Sequence, residues 1–161
     1  MAKKGLQVNI TFDPDIKKVQ EMFSSFPDNI RNYLRRASEK SAFKIEGEAK
    51  KRTPVDTGRL RSSIASSLGI VGNIGAVVST NVNYAVYVHE GTRPHFPPAS
   101  SLETWAKRHN TNAMTVAKAI ARRGTKAHPF MKEGAEASER DIAIYFEDEV
   151  TKGLQYLKGQ L

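Results

Sequence analysis

The sequence of 161 residues contains no cysteine, which removes several classes of chemistry at once. Disulfide bonds, thiol nucleophiles and thiolate metal sites all require that residue. No apolar run approaches the length of a transmembrane helix, so we predict no membrane insertion. The N-terminus, MAKKGLQVNI, has two lysines but no long apolar segment behind them. We therefore expect no secretory signal, and synthesis and assembly in a cytoplasm.

Motifs of catalysis and cofactor binding are also scarce. The pair His89-Glu90 is not an HExxH motif, and no glycine-rich phosphate loop ending in Lys-Ser or Lys-Thr occurs. The four histidines lie in separate loops and element ends without the spacing of a helical zinc site: His89, His95, His109 and His128. The sequence therefore predicts no enzyme, no metal site and no cofactor.

The net charge of +8 is unevenly distributed. Residues 1–54 carry net +5 and residues 55–92 net 0, whereas residues 93–126 carry +6 and residues 127–161 carry −3. Such polarity favours head-to-tail stacking on copies of the same chain or on a partner, with the basic side facing nucleic acid. Solvated helix faces are the plainer interpretation of the same pattern.

The length and the hydrophobic content of 39% predict one domain that buries its own core, over residues 1–161. Alternation of apolar and polar residues predicts a first strand from Leu6 to Phe12, and a short helix follows from Pro14 to about Ser24. A long amphipathic helix is predicted from Asn29 to Arg52.

The segment 53–64, TPVDTGRLRSSI, is predicted to form a corner between two elements. Pro54 disfavours helical geometry at the preceding residue, and Asp56 or Thr57 could cap a new helix. Gly58 relieves the backbone where a side chain would crowd it. Leu60 then begins an apolar spacing of four residues, which favours one short amphipathic helix.

A β-hairpin is predicted next, with strands at 65–71 and 76–80 around a turn at 72–75. The segment 84–88 has strand propensity, but we favour a short helix that ends at Gly91. Residues 93–126 are predicted to contain two helices, from Ser100 or Ser101 to about His109 and from Ala113 to Arg123. Trp105 is expected to pack between them.

Two interpretations of these inserted helices remain open. A helix-turn-helix that binds DNA is one, because basic residues lie on or after the second helix. The other is a helical hairpin inserted in a loop, which we prefer because the start of the second helix offers few polar side chains to read bases. A C-terminal helix follows the segment His128-Pro129-Phe130. Its expected core or interface positions are Phe130, Ala135, Ile142, Ile144, Tyr145, Phe146 and Val150.

The order of TPVDTGRLRSSI, YAVYVHEGT at 84–92 and HPF at 128–130 resembles the tail-completion and head-to-tail joining proteins of long-tailed phages and prophages. The resemblance covers most of the chain, and the first thirty residues least. The motif residues that carry it are Pro54, Asp56, Thr57, Gly58, Leu60, Tyr84, Ala85, Gly91, Thr92, Pro129 and Phe130. It implies that Tyr84 and Ala85 pack the hairpin on the long helix. The insert at 93–126 departs from the shorter family members.

The fold class implied is α+β, with a long helix and a C-terminal helix packed on a small, mainly antiparallel sheet and an inserted helical hairpin. The function implied is structural, as a ring subunit, hexameric in the family, that completes the tail or joins it to the head of the virion. Its partners would be copies of itself, the tail-tube protein and head-tail connector proteins, with genome DNA passing through the lumen. Candidate residues that face a partner or DNA are Arg59, Arg61, Arg93, Arg122, Arg123 and Lys126.

Overall fold

The structure is a computed structural model that describes residues 7–8, 28–68 and 74–159. The predicted helix at 14–24, most of the predicted first strand and part of the hairpin turn lie outside the described residues. Over the described ranges, no helix is both long and apolar enough to cross a membrane.

Within the described residues the chain forms three strands and seven helices. The strands are β1 (Gln7–Val8), β2 (Ile64–Leu68) and β3 (Ala76–Thr80). The helices are α1 (Asp28–Arg52), α2 (Arg59–Ser63), α3 (Ala85–Glu90), α4 (Ala99–Arg108), α5 (Ala113–Arg123), α6 (Phe130–Glu136) and α7 (Glu139–Lys158).

The long helix α1 is the element on which the others pack, as its apolar stripe predicts. Leu34, Ile45 and Ala49 are buried along that stripe. The helix ends at Arg52, before Thr53, whose hydroxyl donates to the carbonyl of Ala49 at 2.7 Å. The predicted stop before Pro54 is therefore confirmed.

The three strands form an antiparallel sheet in the order β1-β3-β2. The predicted hairpin is confirmed for β2 and β3, whose register places Ile64 opposite Thr80 and Leu68 opposite Ala76. Ile64 and Val78 are almost fully buried and join the core. The sheet thus presents an apolar face to α1.

The C-terminal helices α6 and α7 cover another side of α1. Close approach is possible because Gly134 lies against the backbone of Ala49, where an added Cβ would come within 2.7 Å of the Ala49 nitrogen. A Cβ added at Gly153 would lie 3.1 Å from side-chain atoms of both Ile30 and Tyr33. These two glycines set the distance between α1 and the C-terminal helices.

The prediction of one C-terminal helix after Phe130 is wrong in one respect, because the chain turns at Ala137 and Ser138 between α6 and α7. Ser138 is fully buried, and its hydroxyl donates to the carbonyl of Gly134 at 2.7 Å. Its amide donates to the carbonyl of Ala135 at 2.9 Å. These bonds close α6 and redirect the chain.

The insert is a helical hairpin made of α4 and α5, as preferred from the sequence. Asn112 caps α5, since its side chain accepts from the amides of Met114 and Thr115. The expected cap of α4 by Ser100 or Ser101 is wrong: Pro98 is the N-cap residue, and the Ser101 hydroxyl donates to its carbonyl.

The expectation that Trp105 packs between the inserted helices is also wrong. Its side chain keeps 37% exposure, whereas Ala106 and Ala117 are the buried residues of α4 and α5. Two alanines allow the helices to approach closely, and the large indole ring is left at the surface. The α+β class with long N-terminal and C-terminal helices is confirmed.

Candidate partner-binding surfaces

The corner at 53–58 joins α1 to the short helix α2, but not through the expected cap. Gly58 is the N-cap residue of α2, with φ 82°, and no side chain caps the helix. The prediction of a cap by Asp56 or Thr57 is therefore wrong, and Pro54 and Thr57 are exposed. Leu60 is buried in the core, where it holds the corner against α1.

Asp56 instead holds the tip of the inserted hairpin. The Arg108 guanidinium donates to both carboxylate oxygens, with 2.9 Å from Nε to Oδ1 and a second, shorter bond from the terminal nitrogen to Oδ2. His109 Nε2 lies 3.2 Å from Oδ1, and the His109 ring stacks on Trp105 at 4.2 Å between centroids. The Arg108 hydrogen bond lowers the pKa of Asp56 below its usual value, with a smaller contribution from His109.

At its other end the hairpin is held by a narrow neck. Thr92 and Thr125 form an antiparallel bridge with reciprocal backbone bonds of 3.2 Å, and the Thr125 hydroxyl lies 3.1 Å from the Thr92 hydroxyl. Gly91 and Gly124, at φ 72° and 71°, flank the crossing. Gly91 ends α3 as the sequence predicted, and Gly124 follows the predicted last residue of α5, Arg123.

The tyrosine-alanine segment does form a short helix, α3, as favoured from the sequence. Ala85 is fully buried in the core, but Tyr84 is 42% exposed. The packing role implied for the pair therefore falls on Ala85, and Tyr84 lines a surface groove. Pro129 is the N-cap residue of α6, and Phe130 is fully buried.

One open depression lies beside the corner and is basic. It is lined by Lys50, Lys51, Thr57, Gly58, Arg59, Arg61 and Ser62. The lysines are paired with acids of α1: Lys50 with Glu46 at 2.6 Å and Lys51 with Glu48 at 2.8 Å. Hydrogen bonds from Lys51 and Arg52 lower the pKa of Glu48 to about 2. Among the described residues Arg59 and Arg61 have no side-chain partner, so their charges face solvent.

A larger groove of about 960 Å³ lies between α3, the loop at 93–98 and the inserted helices. Its lining is mostly apolar, from Tyr84, Tyr87, Val88, Pro94, Pro97, Leu102 and Ile120. Arg93 and Lys126 stand in the same lining, and neither has a side-chain partner among the described residues. We call this feature the α3–insert groove.

The six basic residues predicted to face a partner or DNA therefore do not form one surface in the structure. Arg59 and Arg61 belong to the corner depression, and Arg93 and Lys126 belong to the α3–insert groove. Arg122 and Arg123 are exposed in the last turn of α5 and line neither feature. Sequence reasoning missed Asp56 and Arg108 as partners because 52 residues separate them.

In the described ranges no three His, Cys, Asp or Glu side chains are arranged to hold a metal ion. What the described surface does offer is unpaired cations at two open depressions and exposed tyrosines at the second of them. These are features of a protein that binds other macromolecules.

Comparison with known proteins agrees with that class. Residues 17–91 match the model of the HK97-gp10-like family, described as "Bacteriophage HK97-gp10, putative tail-component". The match confirms the resemblance to phage tail proteins and suggests a tail component located in the virion. It spans α1, the corner, the hairpin and α3, and it ends at Gly91, so the insert and the HPF segment lie outside it. No curated protein and no solved structure matches the chain.

Proposed function

We propose that this protein is a structural component of a long-tailed phage or prophage that completes the tail or joins it to the head. It acts as one subunit of a ring, hexameric as the resemblance implies, placed in the neck between head and tail. Its chemistry is association, without catalysis. The observation that carries the proposal is the match of residues 17–91 to a family of phage tail components.

Ring formation requires two different surfaces on each subunit that fit one another. The hairpin at 65–80 and the loop at 90–98 are our candidates for one of them. The free edge of β2 is partly covered, because Glu46 of α1 accepts from the amide and the hydroxyl of Ser66, both at 2.7 Å. Edge strands blocked in this way are poor templates for another strand. This favours the loop at 90–98, which borders the α3–insert groove, as the contact site.

The corner depression is the candidate surface for the lumen or for an acidic neck protein. Arg59 and Arg61 are exposed and unpaired within the described part of the chain, and guanidinium groups bind phosphates and carboxylates in a bidentate manner. Contacts of this kind with DNA are independent of sequence and weaken with salt.

Addition of tail tubes to the purified protein tests the proposal. We expect the protein to co-sediment with tubes of the tail-tube protein and to convert from monomer to ring, as measured by sedimentation and light scattering. The double variant R59E and R61E should reduce binding to an acidic neck protein or to DNA. A control outside the depression is K132E, which reverses one exposed lysine on α6, paired with Glu136.

A protein that stays monomeric and does not bind the tube would count against the proposal. An equal reduction of binding by K132E and by the double variant would count against the corner depression as the contact surface.

DNA binding by the insert remains the alternative function. It predicts salt-sensitive binding that prefers one duplex sequence. Equal affinity for unrelated duplexes would exclude it as a sequence-specific regulator.

A further inference from the structure

The outer face of α7 carries apolar side chains that no part of the described structure covers. Ile144 is 42% exposed, Val150 40% and Leu154 53%. They lie on one side of the helix, opposite Ile142, Glu149 and Gly153, which are buried. Apolar residues grouped on an exposed helix face are typical of an interface.

Acidic side chains share this face. Glu147 and Asp148 are exposed between Ile144 and Val150, and neither has an ion-pair partner among residues 28–68 and 74–159. The acids of α1 differ, since Glu46 and Glu48 are paired with lysines one turn away. The outer face of α7 therefore combines apolar side chains with two unpaired acids, Glu147 and Asp148, and the exposed Arg140 and Lys158 place positive charge at its two ends.

The α3–insert groove has the complementary properties. Its apolar lining includes Tyr87 and Leu102, and Tyr87 is 63% exposed. Arg93 and Lys126 supply positive charge in the same lining. Part of the positive charge of region 93–126 therefore lies in the groove, and part of the negative charge of region 127–161 lies on the outer face of α7.

We propose that the α3–insert groove of one copy receives the outer face of α7 of a second copy. Ile144, Val150 and Leu154 enter the apolar lining, and Glu147 and Asp148 meet Arg93 and Lys126. A helix laid in an apolar groove is a common mode of recognition, and charges of opposite sign fix its register. Because groove and helix face are different surfaces, the contact is heterologous and repeats from copy to copy until rotation closes a ring.

This inference rests on the proposed function, for which it names the surfaces between neighbouring subunits. Nucleic acid is a poor occupant of the groove, since phosphates would meet a mostly apolar lining. Glu147 and Asp148 on the outer face of α7 would also repel a polyanion. A second copy satisfies both surfaces at once.

The absence of native cysteine permits a direct test with single-cysteine variants of the full chain. Y87C places a thiol in the groove, and I144C, V150C and L154C place one on α7. Mixing Y87C with each α7 variant and adding a short bismaleimide crosslinker should give dimers that contain one copy of each. Each variant alone should give almost none, because the contact joins unlike surfaces. A dimer formed by Y87C alone would indicate a two-fold contact and overturn the inference.

Charge reversal provides the second arm. We expect K126E alone and D148K alone each to weaken self-association by about tenfold, and the combined variant to recover most of it. The control E139K reverses an exposed acid in the first turn of α7 and should change association little. Circular dichroism of each variant checks that the fold is kept, so loss of association is not loss of structure.

The outcomes separate this inference from the proposed function. Rings that form on the tail tube without crosslinks between groove and α7 would reject the inference and leave the proposed function intact. Crosslinks without tail-tube binding would support the inference and count against the proposed function. Absence of both, across the accessible concentrations, would reject both.

Discussion

Glycine occupies the two positions at the neck of the insert where the backbone permits little else. Gly124 has φ 71° and ψ −159°, a region that residues with a side chain rarely adopt. A Cβ at this position would lie 1.9 Å from the carbonyl oxygen of Thr92. Conformation and space therefore both exclude a side chain at this crossing.

We predict that G124A destabilises the protein by about 1–3 kcal/mol, from backbone strain and the displacement of Thr92. The matched control is G47A, on α1, where an added Cβ meets nothing within 4 Å. That substitution should stabilise the helix by about 1 kcal/mol. Urea denaturation measures the free energy of unfolding of each variant. Similar changes in G124A and G47A would contradict the role assigned to the neck.

His89 is a polar side chain in a mostly apolar setting. Among the residues that the structure describes, neither ring nitrogen has a hydrogen-bond partner, and the ring meets Phe130 edge-on at 5.3 Å between centroids. Burial lowers the pKa of His89 below its usual value, while Glu90 and Glu133 oppose that shift in part. The neutral form is therefore the one that the folded state favours.

This environment predicts a pH dependence of stability. Because the folded pKa lies below the unfolded one, the unfolded chain binds more protons, and stability falls as pH falls through the unfolded value of about 6.5. H89Q should flatten this decline between about pH 7 and pH 5. The control H95Q alters an exposed loop histidine and should leave the decline in stability unchanged. Denaturant melts at several pH values provide the measurement, and an unchanged decline in H89Q would refute the assignment.

At the scale of elements, the inserted hairpin is held at both ends by polar contacts. The neck provides the Thr92–Thr125 bridge, and the tip provides the bonds of Asp56 to Arg108 and His109. The corner at 53–58 thus has a second role, since it also fixes the far end of the insert.

Removal of the tip contact should loosen the insert more than it destabilises the whole protein. We predict that D56N changes the free energy of unfolding by only about 0–1 kcal/mol, because the ion pair is partly exposed. Amide exchange over 99–123 should rise severalfold, while α1 and α6 keep their protection. E139Q is the matched control for loss of one exposed acid. Uniform exchange changes across all elements would contradict a local tether.

Local patterns predict the elements that local interactions determine. The stop before Pro54 and the start of the second inserted helix at Ala113 both follow from bonds within a few residues, and the structure has both. The break at Ser138 was missed because GAEASER contains no strong helix-breaking signal at that point. There the chain turns because Ser138 is buried and bonds back to α6.

The candidate surfaces were predictable only in part. Six basic residues were predicted to face a partner or DNA. Four of them line open depressions, namely Arg59, Arg61, Arg93 and Lys126, whereas Arg122 and Arg123 line neither. The apolar lining that joins Tyr87 to Leu102 was not predictable, since it depends on how the insert folds back over α3. Non-local packing determines such surfaces, and periodicity carries no information about it.

At the scale of the whole molecule, the core cluster formed by the described residues contains no member from the insert. The buried cluster draws its members from α1, α2, β2, β3, α3, α6 and α7, with Val82 from a connecting loop. The buried alanines of the insert, Ala106 and Ala117, belong to its own two helices. Within the described residues the core cluster therefore forms without the insert, which adds one wall of the α3–insert groove.

We accordingly predict that the insert can be removed without loss of the fold. Replacing residues 94–123 by a short Gly-Ser linker retains Thr92 and Thr125, which already pair. The expected loss is about 1 kcal/mol, from the contact at Asp56. By comparison, L60A in the full chain should lose about 2–5 kcal/mol, since Leu60 lies in the core.

The shortened protein also separates stability from assembly. It keeps the outer face of α7 but lacks α4 and α5, which line one side of the α3–insert groove. We therefore expect it to fold but not to associate with itself. When it is mixed with the full chain, its α7 should still bind the groove of one full-length copy. No further copy can then bind to the shortened protein, because it has no complete groove, and the assembly stops growing at that point. Light scattering of such mixtures should show smaller assemblies as its share increases. Assemblies of unchanged size would mean that the insert takes no part in the contact between subunits.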